Sequence, residues 1–357
     1  MVEFCGKNFL HREILKRVGR IEQIAGLREI TLRNGRAERI RAVDINTGGG
    51  LYLTLLLSRG MDIGRAFYRG IPLAWYSSPG EVHPSFYEPE DFGWLRSFGG
   101  GLLVSCGLRH AGAPAEDKGE KMGLHGRISH TPAELVSLNQ KWAEDEFIME
   151  VKGIVRETRI FGENIVMERV VRAQGGEKRI VLEDEVRNEG FEDTPHMILY
   201  HVNLGFPVVD NGSHLLAPVK EVHPRDEEAE KGAGEYNLFT EPVPGFKEQC
   251  YFLNMEEDKE GNIKVAVVNP RLEGGIGVYL KYPKKVLPHF VEWKMMGEGV
   301  YAVGIEPANC LLLHRKELRE KGLLPYLRKG EKVSYRIEIG VIEGEEIRQF
   351  EKEISAY

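Results

Sequence analysis

Three short segments carry the residue types that proton transfer needs. In Gly123-Leu124-His125-Gly126-Arg127-Ile128-Ser129 a histidine stands among glycines, which let the backbone approach a ligand and leave the imidazole uncrowded. The same pattern also reads as a turn with an exposed histidine. In Leu199-Tyr200-His201-Val202-Asn203-Leu204-Gly205-Phe206-Pro207, His201 and Asn203 are two apart on a predicted strand and share one face, while Tyr200, Val202 and Leu204 share the other. A solvent-facing pair would be unremarkable, but beside so apolar an opposite face the pair points to a polar cavity. In Gly304-Ile305-Glu306-Pro307-Ala308-Asn309 the proline holds Glu306 extended and is expected to end the strand, which sets the carboxylate at a sheet rim. A solvated rim glutamate is the ordinary alternative.

Two further segments are polar where a core strand would not be. Ser58-Arg59-Gly60-Met61-Asp62-Ile63 brings Arg59 and Asp62 around a glycine, and Glu292-Trp293-Lys294 puts opposite charges on one strand face with Trp293 on the other. Both also read as surface ion pairs, yet an aromatic ring can stack on a sugar while Arg or Lys binds its hydroxyls. The sequence contains no P-loop, no H-E-x-x-H, no G-x-S-x-G and no dinucleotide fingerprint. His196 and His201 are five apart, which puts them on opposite strand faces and argues against a shared metal. No cofactor and no metal is demanded.

Acidic residues outnumber basic ones, 55 against 48, for a formal charge of −7 over 357 residues, which argues against a phosphate-neutralising nucleic-acid surface. With 42% hydrophobic and 29% charged residues the chain has the proportions of a soluble globular protein. Leu51 to Leu57 is too short an apolar run to span a bilayer. Met1 to Arg17 has no continuous apolar stretch, so no signal or transit peptide is evident and a cytoplasmic location is expected. Cys5, Cys106, Cys250 and Cys310 lack C-x-x-C spacing and read as buried, reduced thiols.

The elements that must position these groups are mostly strands. Leu10, Ile14, Val18 and Ile21 recur at helical spacing before Gly26, predicting a short N-terminal helix in an arm over 1–27 that packs on the body. From residue 28 to 357 period-two runs dominate, as in Val333, Tyr335, Ile337 and Ile339, or Phe147, Met149 and Val151. Asn34-Gly35, Gly162-Glu163-Asn164, Gly175-Gly176 and Gly261-Asn262 fall between such runs as hairpin turns. One mainly β domain, a large antiparallel β-sandwich or barrel, is predicted. Two irregular stretches, 72–97 and 223–246, are long enough to cover a site.

Taken in order, Leu124-His125-Gly126, His201 with Asn203-Leu204, and Glu306-Pro307 resemble the galactose mutarotase-like family of aldose 1-epimerases. Arg59-Gly60-Met61-Asp62-Ile63-Gly64, Phe98-Gly99-Gly100-Gly101-Leu102, Cys106-Gly107-Leu108 and Glu306-Pro307-Ala308-Asn309 look like one uncharacterised branch of it, over residues 50 to 310. The resemblance implies a mutarotase-like β-sandwich (the supersandwich) over 28–357, with a sugar cleft on a concave sheet. It implies an isomerase that interconverts sugar anomers, with Glu306 as base, His201 as acid and His125 holding the sugar or assisting at the ring oxygen. Arg59, Asp62, Arg127, Asn203, Glu292, Lys294 and Asn309 are the expected sugar-binding residues. Arg127 stands where mutarotases have a second glycine, and Arg59, Arg127 and Lys294 together would suit an acidic sugar or sugar acid. The expected partner is a small sugar, not a nucleic acid or a membrane, and a homodimer is compatible with the sequence. The alternatives are a sugar-binding protein without catalysis, and a metal-dependent sugar isomerase or epimerase on a cupin-like barrel with His125, His201 and Glu306 as ligands.

Overall fold

Strict alternation of apolar and polar residues builds the outer sheet. In Glu146–Thr158 the residues Phe147, Met149, Val151 and Val155 are buried while their neighbours face outward, and Arg179–Asn188 repeats the pattern with Ile180, Leu182 and Val186. These strands belong to an eight-stranded antiparallel sheet ordered Glu134–Ala143, Glu146–Thr158, Asn164–Gln174, Arg179–Asn188, Lys332–Glu343, Ile276–Pro283, Asn262–Asn269 and His214–Leu216. The computed structural model describes residues 1–4 and 6–356, so Cys5 lies outside the described residues.

The facing sheet is eleven-stranded. From one edge it runs Val219–Pro224, Gln249–Met255, His289–Gly297, Val300–Ala308, Met197–Gly205, Leu103–Leu108 and Asp62–Tyr68. Here alternation disappears: every residue of Met197–Gly205 and of Leu103–Leu108 is buried. One face of these strands packs against the outer sheet through Tyr200, Val202, Leu204, Leu103, Val303 and Ile305. The other is roofed by the loops that follow Ile71–Pro72 and Val219–Pro224, which is why a strand of a half-open sheet has no solvent face. At roughly 1.5–3 kcal/mol for each fully buried large apolar side chain, the interior supplies most of the driving force for this arrangement.

The sandwich interior also holds a polar network. Arg169, fully buried, donates from Nε and Nη2 to the two carboxylate oxygens of Asp184 at 2.8 and 2.7 Å. Its Nη1 donates to Ser105 Oγ and to the carbonyls of Gly60 and Met61. Tyr200 Oη donates to Asp184 Oδ2 at 2.7 Å, and Asp62 lies 3.5 Å from Arg169 while accepting from the Ser105 N–H. The network bolts the Asn164–Gln174 strand of one sheet to strands of the other.

The N-terminal arm departs from the predicted single helix. It is a hairpin of Val2–Phe4 and Lys7–Phe9, a one-turn helix His11–Leu15 and a 3-10 turn Ile21–Gln23. Of the apolar stripe Ile14 and Val18 are buried in the core, Ile21 packs half-buried against it and Leu10 is exposed, and Gly19 disfavours further helix before Ile21. A C-terminal helix, Glu345–Ile354, was not expected, although Ile347, Phe350 and Ile354 have helical spacing; it buries Ile347 and Phe350 against Ala266, Val268 and Ile342. Cys106, Cys250 and Cys310 are free and buried. Among the described residues no helix is long and apolar enough to cross a membrane.

Candidate active site

Glu306 does not lie at a rim. Its strand, Val300–Ala308, runs past Pro307 and pairs on one side with His289–Gly297, placing Val291 opposite Glu306. On the other side the ladder to Met197–Gly205 registers Val202 with Ile305 and Leu199 with Ala308 but skips the residues between. Pro307 falls in that gap, where its missing N–H removes no ladder bond. His201 faces Glu306 across the same gap, and His201 Nε2 lies 3.1 Å from Glu306 Oε1.

Gly304 makes the contact sterically feasible. It precedes Glu306 by two on the same face, and a Cβ there would lie 2.4 Å from Glu306 Oε1 and 3.0 Å from His201 Cε1. The carboxylate therefore folds back over a bare backbone to reach the imidazole. Glu306 Oε1 and His201 Nδ1 are buried without a hydrogen-bond partner: the short contact is off the hydrogen-bond line and leaves both groups free valence for a ligand. Burial pushes the Glu306 carboxyl well above its usual range, and the nearby Glu248 adds to this against Arg225. Burial also pushes the His201 imidazole down to about 3, with the Asn203 side chain pulling the other way. Both directions favour the uncharged forms, with the pair's proton on Glu306 and none added to His201.

His125 reaches the same space from a tight loop. It takes φ 57° and is followed by Gly126 at φ 72°, where a Cβ would meet the His110 carbonyl at 2.4 Å; one on Gly123 would meet the Pro89 carbonyl at 2.3 Å. The loop is pinned to the end of the Leu103–Leu108 strand by hydrogen bonds from Gly107 N to His125 O and from Arg127 N to Gly107 O. His125 Nδ1 accepts from the Gly112 N–H at 3.4 Å. That contact leaves the ring's proton on Nε2, because a nitrogen that accepts cannot also donate. Burial and the neighbouring His201 hold the His125 imidazole well below its usual range, so it is a neutral donor. Its ring stands 6.0 Å from that of His201 and 4.9 Å from that of Trp94.

The three groups open into a cavity of about 250 Å³. Phe92, Trp94, Phe98, Phe252 and Trp293 supply aromatic wall, and Leu95, Leu124, Val291 and Leu312 supply aliphatic wall. Phe98 and Trp293 stand 5.5 and 5.6 Å from the His201 ring. Beyond the histidines and Glu306, the charged wall consists of Arg225 and Glu248, which sequence reasoning missed. Arg225 is held by Glu248 at 3.0 Å, Asp226 at 2.8 Å and Cys250 Sγ at 2.9 Å, and Trp293 Nε1 donates to Glu248 at 2.9 Å. The signal for both was their place in or beside the long charged loop. Another cleft, of about 350 Å³, lies under the C-terminal helix among Lys178, Arg179, Glu338 and Glu346, with no histidine in its wall.

The other expected site residues do not line the cavity. Arg59 is buried behind the wall, donating to Val82 O at 2.6 Å and lying 3.1 Å from His130 Nε2. His130 contacts Ser129, which accepts from Trp94 Nε1, so Arg59 reaches the site only through Trp94. Asp62 belongs to the interior network. Asn203 donates to Gly101 O and His201 O, fixing backbone beside the histidine. Asn309 ties Ile198 N, His196 O and Tyr335 Oη. Glu292 and Lys294 face the sandwich interior, where Lys294 donates to Glu235 O, and it is Trp293 that faces the cavity. Arg127 lines a neighbouring groove with Glu90, Asp91 and Lys121. Among the described residues no group of three His, Cys, Asp or Glu side chains is placed to hold a metal ion, and the architecture is a sandwich, not the cupin-like barrel of the metal-dependent alternative.

Solved structures share this architecture. A candidate aldose 1-epimerase from Klebsiella pneumoniae is 23% identical with a TM-score of 0.88, over 94% of this chain and 90% of that one. A galactose mutarotase-like protein from Clostridium acetobutylicum is 12% identical with a TM-score of 0.63, over 90% of this chain and 99% of that one. The galactose 1-epimerase of Lactobacillus acidophilus is 11% identical with a TM-score of 0.56, over 90% and 99%. These likenesses establish the galactose mutarotase-like fold. No curated protein matches the sequence. A family model described as a domain of unknown function, DUF4432, matches residues 37–341, and the chain belongs to that family.

Proposed function

We propose that the cavity is the active site of a carbohydrate epimerase of the aldose 1-epimerase type, which interconverts sugar anomers by acid–base ring opening. The observation that carries this reading is the His201–Glu306 contact of 3.1 Å, buried and under-bonded, at the floor of an aromatic cavity. Ring opening moves one proton off the anomeric hydroxyl and one onto the ring oxygen. A pair that shares a single proton can do both: Glu306 as carboxylate accepts from the hydroxyl while protonated His201 donates to the ring oxygen. The transfer leaves Glu306 protonated and His201 neutral, the distribution that burial favours, and closure on the other face of the carbonyl runs it backwards. His125 Nε2–H is a fixed neutral donor that holds a sugar oxygen as charge develops. Trp293, Trp94 and Phe98 offer the flat faces on which the C–H side of a pyranose stacks.

Each positioned acid or base contributes about 10²–10⁴-fold. The test is anomer exchange by NMR or polarimetry over a panel of aldoses, deoxy sugars and uronates. Acceleration by the wild type and its loss in Glu306→Gln are expected; if no sugar exchanges faster with the protein than without it, the reading fails. A sugar-binding protein without catalysis would give calorimetric binding unchanged by Glu306→Gln and no turnover.

A further inference from the structure

We infer that the substrate is a neutral deoxy monosaccharide, an aldose carrying hydrogen in place of at least one hydroxyl. This deepens the epimerase reading and rests on it. Size comes first: about 250 Å³ falls below the ~300–1,000 Å³ of pockets for drug-sized ligands, which suits one sugar ring. Charge comes second. The cations that would have recognised an acidic sugar, Arg59, Arg127 and Lys294, are all outside the cavity wall, and the one guanidinium in it, Arg225, is already held by Asp226 and Glu248. A carboxylate entering here would meet Glu248 and Glu306 without an unpaired cation.

Hydrogen-bonding capacity comes third and decides the matter. The anomeric and ring oxygens account for His201, Glu306 and His125. Trp293 Nε1 is spent on Glu248, Cys250 Sγ on Arg225, the Gly112 N–H on His125, and the Ala113 carbonyl on His110. That leaves the Arg225–Glu248 pair for the remaining hydroxyls at one end of the cavity. The rest of the wall is aromatic and aliphatic, Phe92, Leu95, Leu124 and Leu312 together with Trp94, Phe98, Phe252 and Val291; the Trp94 Nε1–H is spent on Ser129, so these side chains give a hydroxyl nothing in exchange for lost water. An apolar wall discriminates against an added hydroxyl by about ten- to a hundredfold, and a ring carbon bearing only hydrogen or a methyl group fits against it without that loss.

The experiment compares glucose and galactose with their 2-, 3-, 4- and 6-deoxy derivatives and with glucuronate. Exchange is measured by NMR as kcat/KM relative to each sugar's spontaneous rate, and Kd by calorimetry. At least one deoxy derivative is expected to exceed its parent by about tenfold or more. Leu312→Asn, which gives the wall a hydrogen-bonding group, is expected to bring that ratio towards one, and Leu95→Asn at the half-exposed mouth provides a second variant that keeps the core intact. Parents equal to or better than every deoxy derivative, or glucuronate leading the panel, would overturn the inference while leaving the epimerase standing. Should no sugar be turned over, the epimerase falls and the Kd order alone decides: deoxy sugars bound more tightly support the inference, and any other order, or no binding, ends it.

Discussion

Tyr200 and His201 are adjacent on one strand, both buried, and belong to opposite kinds of polar cluster. Tyr200 points into the sandwich and joins Arg169 and Asp184, where the guanidinium and both carboxylate oxygens have partners at 2.7–3.3 Å. His201 points the other way and meets Glu306 at 3.1 Å with its Nδ1 and the carboxylate Oε1 unpartnered. Both regions carry the desolvation cost of buried polar groups. In one it is offset by protein partners, which makes a brace; in the other the partners are missing on the side that faces a cavity, and a ligand can supply them. Neither burial nor a missing partner by itself separates structural polar residues from functional ones, since Asp62 Oδ2 in the interior network and both Glu292 carboxylate oxygens are unpartnered too; what sets His201 and Glu306 apart is that they line a cavity.

The comparison breaks or sharpens in graded steps. The largest effect is expected from Arg169→Met, which strands the Asp184 carboxylate among apolar side chains and costs about 3–5 kcal/mol by urea denaturation. A smaller loss than that from Glu306→Gln would reverse the assignment of brace and site. Gly304→Ala comes next: the methyl group displaces Glu306 or His201, and since a 1 Å misplacement costs about 10²-fold, kcat should fall by that order while the denaturation midpoint changes little. A variant that keeps full activity would show that the contact is dispensable. Tyr200→Phe removes one hydrogen bond to a charged group and should cost about 1.5–3 kcal/mol of stability with kcat unchanged; a selective loss of rate would mean that the two faces of the strand are not independent.

The smallest expected effect is a pH profile that is flat on its acid side. His201 is held near 3, below the ordinary 6.5, so falling pH adds no second proton to the pair across the neutral range. Glu306 is raised above 4.5, so its carboxyl keeps the shared proton to a higher pH than an ordinary glutamic acid would. kcat/KM should therefore show no fall as the pH drops from 7 to about 5. An acid limb centred near 6.5 would place an ordinary exposed histidine in control.

Much of the fold was legible because the outer sheet obeys simple alternation, and Val333 to Ile339 or Phe147 to Val151 can be read as half-buried strands directly. His125, His201 and Glu306 were legible as residue types in their order. Their neighbours were not, because the strands of the inner sheet are buried on both faces, and parity then says which residues share a face without saying which face meets the cavity. Glu292, Trp293 and Lys294 illustrate this: the charged pair looks functional in sequence, yet it faces inward while Trp293 meets the cavity. Pro307 misled for a similar reason, since a proline ends a strand only where the ladder needs its N–H, and here the ladder to Met197–Gly205 skips it while the one to His289–Gly297 continues through Phe290 opposite it. Arg225 and Glu248 were hidden in charged loop sequence, where nothing local distinguishes a wall residue from a solvated one.

The most direct test of the central claim is to measure anomer exchange and thermal unfolding together for the wild type and Glu306→Gln on a sugar the wild type turns over. Exchange slower by 10²-fold or more, with an unchanged or higher Tm, is the predicted result, because the amide removes the proton carrier and also the cost of burying an acid. Equal exchange rates in the two proteins, or a rate loss that merely tracks unfolding, would contradict it.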